Sequence, residues 1–339
     1  MATTDCHDYE KLSDQIQRQK KYAWDLNTDI PWSLGVDPRK ALLPLDSNAI
    51  VFPGINGEER LALSQLTGLF VNAAISEMES VIDKLRVCAW KRCLKNFPVN
   101  PEIEALGELF FEEELKHAHL FRKFNHLFCE KMGLDSNELA TILPQTYGSK
   151  FLDRIVSNAK AGGHAFWWVV ASVEEVSIAV FQEMVGHEAD IDPLFYDIHR
   201  RHMEEEVRHS NYAFLILDLI HQGPKGIRDT FFSKTDLILA QITSNAWILS
   251  ELQKIWRVKD LVQKSGHPFY QKICRTLSHF GKIPSRQLPS VLYCEAPYLS
   301  LFLNLRHHKM TLSKAHSSNT PHLPLPKPRP SATFANLPL

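Results

Sequence analysis

The chain has 339 residues, 44 % of them apolar and 23 % charged, which is the composition of an ordinary globular protein with room for one large domain or two small ones. A net charge of −1 excludes recruitment to nucleic acid or to an anionic membrane by a strongly basic surface, and no apolar run reaches the length of a membrane span. The six cysteines (Cys6, Cys88, Cys93, Cys129, Cys274 and Cys294) form no CxxC pair and are too sparse for a disulfide scaffold or zinc ribbon; with a polar N-terminus that lacks a signal pattern, they predict a reduced cytoplasmic protein.

Residues 1–57 are punctuated by Pro and Asp and predict one short helix near 8–22, then an irregular wrapping segment through WDLNTDIPWSLGVDP. From 58 to about 95, Leu63, Leu66, Phe70, Ala74, Met78, Val81, Leu85 and Cys88 fall near one stripe, the period of a helix. KNFPVNP breaks it, Pro101 opens a second helix, and that helix runs to 131, before MGLDS. A loop with Pro144 and Gly148 leads to a third helix over 150–188, where Gly162-Gly163 marks a kink or a break. Asp192-Pro193 is an N-cap followed by proline at the first helical position, and the fourth helix runs to about 222, where HQGPKG ends it. Two more helical stretches follow near 226–262 and 266–281, and the Ser/Pro-rich end, 313–339, has the composition of a disordered tail. With no period-2 strand pattern, the expected fold class is all-α: four helices of roughly 30 residues each form a four-helix bundle, with additional helices, in a domain spanning 58–312.

The second and fourth helices carry matched segments, Glu112-Glu113-Glu114-Leu115-Lys116-His117 and Glu204-Glu205-Glu206-Val207-Arg208-His209. A Glu and a His three apart share one helix face, so each helix offers both to one metal ion. Two such helices, with a further Glu from each of the other two, make the site of di-iron and di-manganese carboxylate bundles. At roughly 100° per residue, Glu114 and His117 lie among Ile103, Phe110, Phe111, Ala118, Phe121 and Phe128, whereas Glu112 falls on the far side. On the fourth helix His202, Glu206 and His209 share a face, which makes His202 an extra nitrogen ligand. The third helix offers Glu175, flanked by Trp168, Ala171, Ile178 and Ala179, with Glu174 the weaker choice. The first helix offers Glu77 and Glu79, and its apolar stripe favours Glu77. Carboxylates in such apolar stretches would cost several kcal/mol each if buried unpaired, a penalty that metal coordination removes. A site of carboxylates and imidazoles suits iron or manganese rather than structural zinc or calcium. Phe110, Phe111, Phe121 and Trp168 are candidate walls of a substrate pocket, while His119, His126, His164, His187 and His199 read as surface or hydrogen-bonded residues.

The order Glu, Glu-x-x-His, Glu, His-x-x-x-Glu-x-x-His resembles the AurF-type arylamine N-oxygenases, ferritin-like di-iron enzymes related to p-aminobenzoate N-oxygenase, over roughly residues 60–220. The resemblance implies Glu79, 35 residues before Glu114, as the first ligand, and thereby favours it over its rival Glu77. The full implied set is Glu79, Glu114, His117, Glu175, His202, Glu206 and His209, with His202 the element that typical ferritin-like sites lack. The family carries Asp-Glu-x-x-His where this chain has Glu-Glu in both copies.

The implied function is O2-dependent oxidation of a small-molecule amine, an arylamine in the family, to a hydroxylamine, nitroso or nitro product by way of a peroxo-diferric intermediate. It implies two iron ions cycling between Fe2+ and Fe3+, with manganese as the alternative metal, and a homodimer. The chain has no GxGxxG fingerprint and no iron–sulfur cysteine cluster, so the electrons are expected from an external reductase. The other readings of the same pattern are a di-iron C–H oxygenase or desaturase, and a non-catalytic iron-binding bundle. A radical-generating subunit fits less well, because Phe121 stands where that class carries a tyrosine.

Overall fold

The computed structural model describes residues 6–45, 55–94, 101–145, 164–222 and 250–280. The stretch 150–163, most of the helix expected at 226–262, and the 313–339 tail lie outside the described residues. Among the described residues the secondary structure is helical, with no β-strand: α1 Cys6–Tyr22, α2 Gly57–Leu94, α3 Pro101–Met132, α4 Ser136–Ala140, α5 His164–Met184, α6 Pro193–Gln222, α7 Val258–Ser265 and α8 Pro268–Phe280.

Local chemistry sets the ends of the long helices. Asn56 and Glu59 cap α2 reciprocally: the Glu59 amide donates to Asn56 Oδ1 (2.9 Å) and the Asn56 amide to Glu59 Oε2 (3.2 Å). Pro101 opens α3, and Gly133, at φ 68°, closes it. There the amides of Leu134 and Gly133 reach back to the carbonyls of Cys129 (2.9 Å) and Glu130 (3.2 Å). Asp192 caps α6 through the Phe195 amide (2.8 Å). Two expectations need adjusting. The five-residue α4 stands where the sequence predicts loop, capped by Asp135 through the Asn137 amide. The expected helix reaching 262 is not continuous: residues 250–254 are helical, the chain tightens into a 3-10 turn at Ile255–Arg257, and α7 follows.

The long helices pack two by two, α2 against α3 and α5 against α6, with α3–α6 and α2–α5 contacts joining the pairs. One apolar core runs from Leu66, Phe70 and Phe121 to Phe195 and Ile198; the other gathers Phe110, Phe111, Trp167, Trp168 and Tyr212. The segment after α1 crosses these helices as a strap. Leu42 and Leu43 donate to Ser64 Oγ of α2, and Asp37 donates its amide to Asp192 Oδ2. Ala41 pairs with Ile191 in an isolated parallel bridge.

Candidate metal centre

Three helices converge on one buried cluster. Glu79 comes from α2, Glu114 and His117 from α3, and His202, Glu206 and His209 from α6. All six are at most 2 % exposed. Their ligand atoms form two overlapping groups, Glu79–His117–His202–Glu206 and Glu114–His117–Glu206–His209, with the atoms of each group within 4.8 Å of one another. Helical spacing accounts for the convergence: three and four residues along α6 return each side chain to the same face, as do three along α3. His202 Nε2 lies 2.8 Å from both Glu79 Oε1 and Glu206 Oε1. His117 Nδ1 lies 3.0 Å from Glu206 Oε1, and His209 Nδ1 2.8 Å from Glu114 Oε1.

Behind the two Glu-x-x-His imidazoles stand carboxylates that the sequence reading assigned to nothing. His117 Nε2 pairs with Glu205 Oε2 at 2.6 Å, and His209 Nε2 with Glu113 Oε2 at 2.9 Å. Each copy of the repeated segment therefore holds the histidine of the other. With Nε2–H donated to a carboxylate, each imidazole keeps its Nδ1 lone pair for the cluster. The signal was in the repeat: the residue just before Glu114 and the residue just before Glu206 are both Glu. Gln19 of α1 donates to Glu113 Oε2 (2.7 Å), and Lys116 donates to Glu205 Oε1 (2.8 Å). Trp24 of the strap stacks on His117, with ring centroids 5.8 Å apart, and the Lys116 ammonium lies 3.7 Å from the centroid of the Trp24 ring.

The electrostatics are those of like charges gathered in a place closed to water. Burial, and then the neighbouring Glu114 and Glu206, push the Glu79 carboxyl well above its ordinary range, and burial raises Glu114 as well. Burial also acts on Glu206, but the facing His209 and His117 outweigh it and bring Glu206 down to about 2. Burial lowers the imidazoles; for His117 and His209 the surrounding carboxylates prevail and the pKa is raised. His202 falls well below 6.5, through burial and then the adjacent His117 and His199.

The remaining expected site residues are placed as follows. Glu175 is not in either group; it is buried on α5, with Oε1 accepting from Ser210 Oγ (2.8 Å) beside His209. Glu77 turns away from the cluster to within 3.9 Å of Arg122, in a separate surface cleft of about 170 Å³ between α2, α3 and α4. Phe110 packs edge-on against His209 (4.8 Å between centroids) and Phe121 against His202 (4.8 Å). Phe111 and Trp168 are buried in the second apolar core.

The cluster fits a metal centre. Glu79 Oε2, both oxygens of Glu114 and of Glu206, and Nδ1 of His117 and of His209 are buried yet make no hydrogen bond, although several lie at ion-pair distance. Buried polar atoms are almost always satisfied within a fold, and a bound cation could satisfy this converging set. Mixed oxygen and imidazole nitrogen is the donor set of first-row divalent metals. No protein-family model, no curated protein and no solved structure matches the chain.

Proposed function

We propose that the chain is a ferritin-like di-iron oxygenase that uses O2 to oxygenate the nitrogen of a small-molecule amine. The observation that carries this reading is the convergence of three carboxylates and three imidazoles from α2, α3 and α6, with seven of their ligand atoms left without hydrogen bonds. Glu79, Glu114, His117, His202, Glu206 and His209 hold the ions, and Glu175, which accepts from Ser210, the residue after His209, supplies the remaining carboxylate. Two iron ions, when bound, supply the O2 chemistry and its redox equivalents, which an external electron donor restores.

The protein's own part is orientation and exclusion of water. Glu113 and Glu205 fix the imidazoles of His209 and His117 so that Nδ1 faces inward. Phe110 and Phe121 wall the cluster on the His209 and His202 sides, which keeps solvent from it. His202 favours the amine reading through the resemblance alone: it is the third imidazole that typical ferritin-like sites lack, and it lies within reach of Glu79 and Glu206.

The test has two stages. Anaerobic loading with Fe(II) should give about two irons per chain for the wild type and at most one for Glu114→Ala and His209→Ala, by elemental analysis. Unchanged loading in both variants would refute the ligand set. The loaded protein is then given a reductant, O2 and a panel of arylamines, with products read by mass spectrometry. Oxygen is expected on nitrogen; oxidation confined to carbon would replace the amine reading with a C–H oxygenase.

A further inference from the structure

The basic residue that precedes each histidine of the repeat, Lys116 in one copy and Arg208 in the other, has no part in the ligand set. Both turn to the carboxylates behind the imidazoles. Arg208 is half enclosed between them: Nη2 lies 3.4 Å from Glu205 Oε1 and 3.8 Å from Glu113 Oε1, and its side chain is only 13 % exposed. Nη1 donates to the Glu204 carbonyl (2.9 Å), which holds the guanidinium against its own helix. Nε and Nη2 make no hydrogen bond, so the charge is shared between both carboxylates rather than committed to one. Lys116 is different. Of the two carboxylates its ammonium reaches Glu205 alone, at 2.8 Å, and it is also held by the Trp24 carbonyl and ring.

We propose that Arg208 is a positioning residue common to both Glu-x-x-His imidazoles: by holding Glu113 and Glu205 together it orients His209 and His117 at once. The proposal rests on reading the cluster as a metal centre. Two buried carboxylates this near one another repel, and without a cation between them each gains by swinging away. A carboxylate that swings releases the imidazole Nε2–H it holds, and the ring is then free to turn Nδ1 off the cluster. Lys116 guards only one of the pair. Glu113 has no lysine; apart from Arg208, its holding partner is the neutral amide of Gln19, at 2.7 Å. Two carboxylates and two cations also balance within this outer layer, so the charge of bound metal is left to the carboxylates of the ligand set.

The test uses the full chain loaded with Co(II), whose paramagnetism moves the exchangeable Nε2–H protons of ligating imidazoles out of the crowded proton spectrum. His117→Ala and His209→Ala assign the two signals. Arg208→Gln is expected to broaden or abolish both and to weaken Co(II) binding about tenfold, the usual size for loss of such an outer partner. Lys116→Gln should affect the His117 signal only, and Arg208→Lys should restore both. Arg200→Gln removes a positive charge from the same helix at a more exposed ion pair and should change neither signal. Wild-type signals and affinity in Arg208→Gln overturn the proposal and leave the metal reading standing; a wild type that takes up no Co(II) overturns both. Should Arg208→Gln fail to fold, the other variants decide: loss of both signals in Lys116→Gln, or in Arg208→Lys, overturns it.

Discussion

At the scale of single residues, His199 shows how a buried imidazole can be set by its neighbours rather than by a metal. It is 1 % exposed and one turn before His202. Asn125 Nδ2 donates to the Leu69 carbonyl (3.1 Å), and Asn72 Nδ2 donates to Asn125 Oδ1 (3.0 Å). Asn72 Oδ1 must therefore accept, and His199 Nε2 must carry the proton it receives at 2.8 Å. Burial holds the His199 pKa down at about 3, against 6.5 in the unfolded chain. Between those values the unfolded chain binds a proton that the folded one does not. Stability is therefore fully present above 6.5 and falls as pH drops towards 3, by at most ~1.4 kcal/mol per pH unit. His199→Gln keeps a donor for Asn72 and removes the titration. Urea melts in the presence of a chelator, between about pH 4.5 and 6.5, should show a shallower loss of stability in the variant; equal slopes would rule out His199 as a source. The sequence could say that His199 was hydrogen-bonded or exposed, but not which, because Asn72 and Asn125 come from other helices. The same limit hid Glu113 and Glu205. Their role depends on which copy of the repeat faces which, and that is a property of packing.

At the scale of elements, the helices that carry the site were legible because their signals are local. Pro101, Asp192-Pro193 and the stripes of α2 and α3 need only neighbouring residues to be read. Glu79 over Glu77 had no such local signal: both lie on α2, the apolar stripe pointed to Glu77, which faces Arg122 and the outer cleft, and only the family resemblance favoured Glu79. α4 escaped because five residues are too few for a period; the strap was expected as a wrapping segment, but not its contacts, because its bonds reach distant positions. One strap contact is tight enough to test. At Gly68 of α2, an added methyl would run into the Leu42 side chain and come within 3.2 Å of the Phe195 ring. Leu42 sits there because its amide and that of Leu43 are held by Ser64 one turn earlier on the helix. Gly68→Ala should gain helix propensity, about 1 kcal/mol, and lose more by overpacking, roughly 1–3 kcal/mol, with α2 keeping its helicity. The expected net result is a lower urea midpoint with unchanged circular dichroism in the helical region; a higher midpoint would mean that the strap yields at no cost.

At the scale of the whole molecule, the fold gathers charge that the metal-free protein has to manage with protons. His117 and His209 are raised by the carboxylates around them, Glu79 by burial and by Glu114 and Glu206, and Glu114 by burial and by Glu206. Groups raised in this way hold their protons to higher pH than they do in the unfolded chain, which eases the repulsion among like charges in a space closed to water. A divalent ion needs those same lone pairs, so it must displace the protons. The sign follows: metal binding releases protons, apparent affinity climbs as pH rises through the titration of the raised groups, and acid favours the metal-free state. Metal that binds only the folded chain also stabilises it, by an amount that grows with the free concentration over the dissociation constant. Mn(II) or Co(II) titrated into weakly buffered protein at about pH 6, 7 and 8 should acidify the solution at each pH, bind more tightly at the higher values, and raise the melting temperature. Glu114→Gln, which takes from the cluster an oxygen that can become anionic and leaves the side chain's size almost unchanged, should weaken both the binding and the thermal shift. Stabilisation without proton release would mean that the ion sits elsewhere on the protein, because the cluster between α2, α3 and α6 cannot accept a cation while its imidazoles keep their protons.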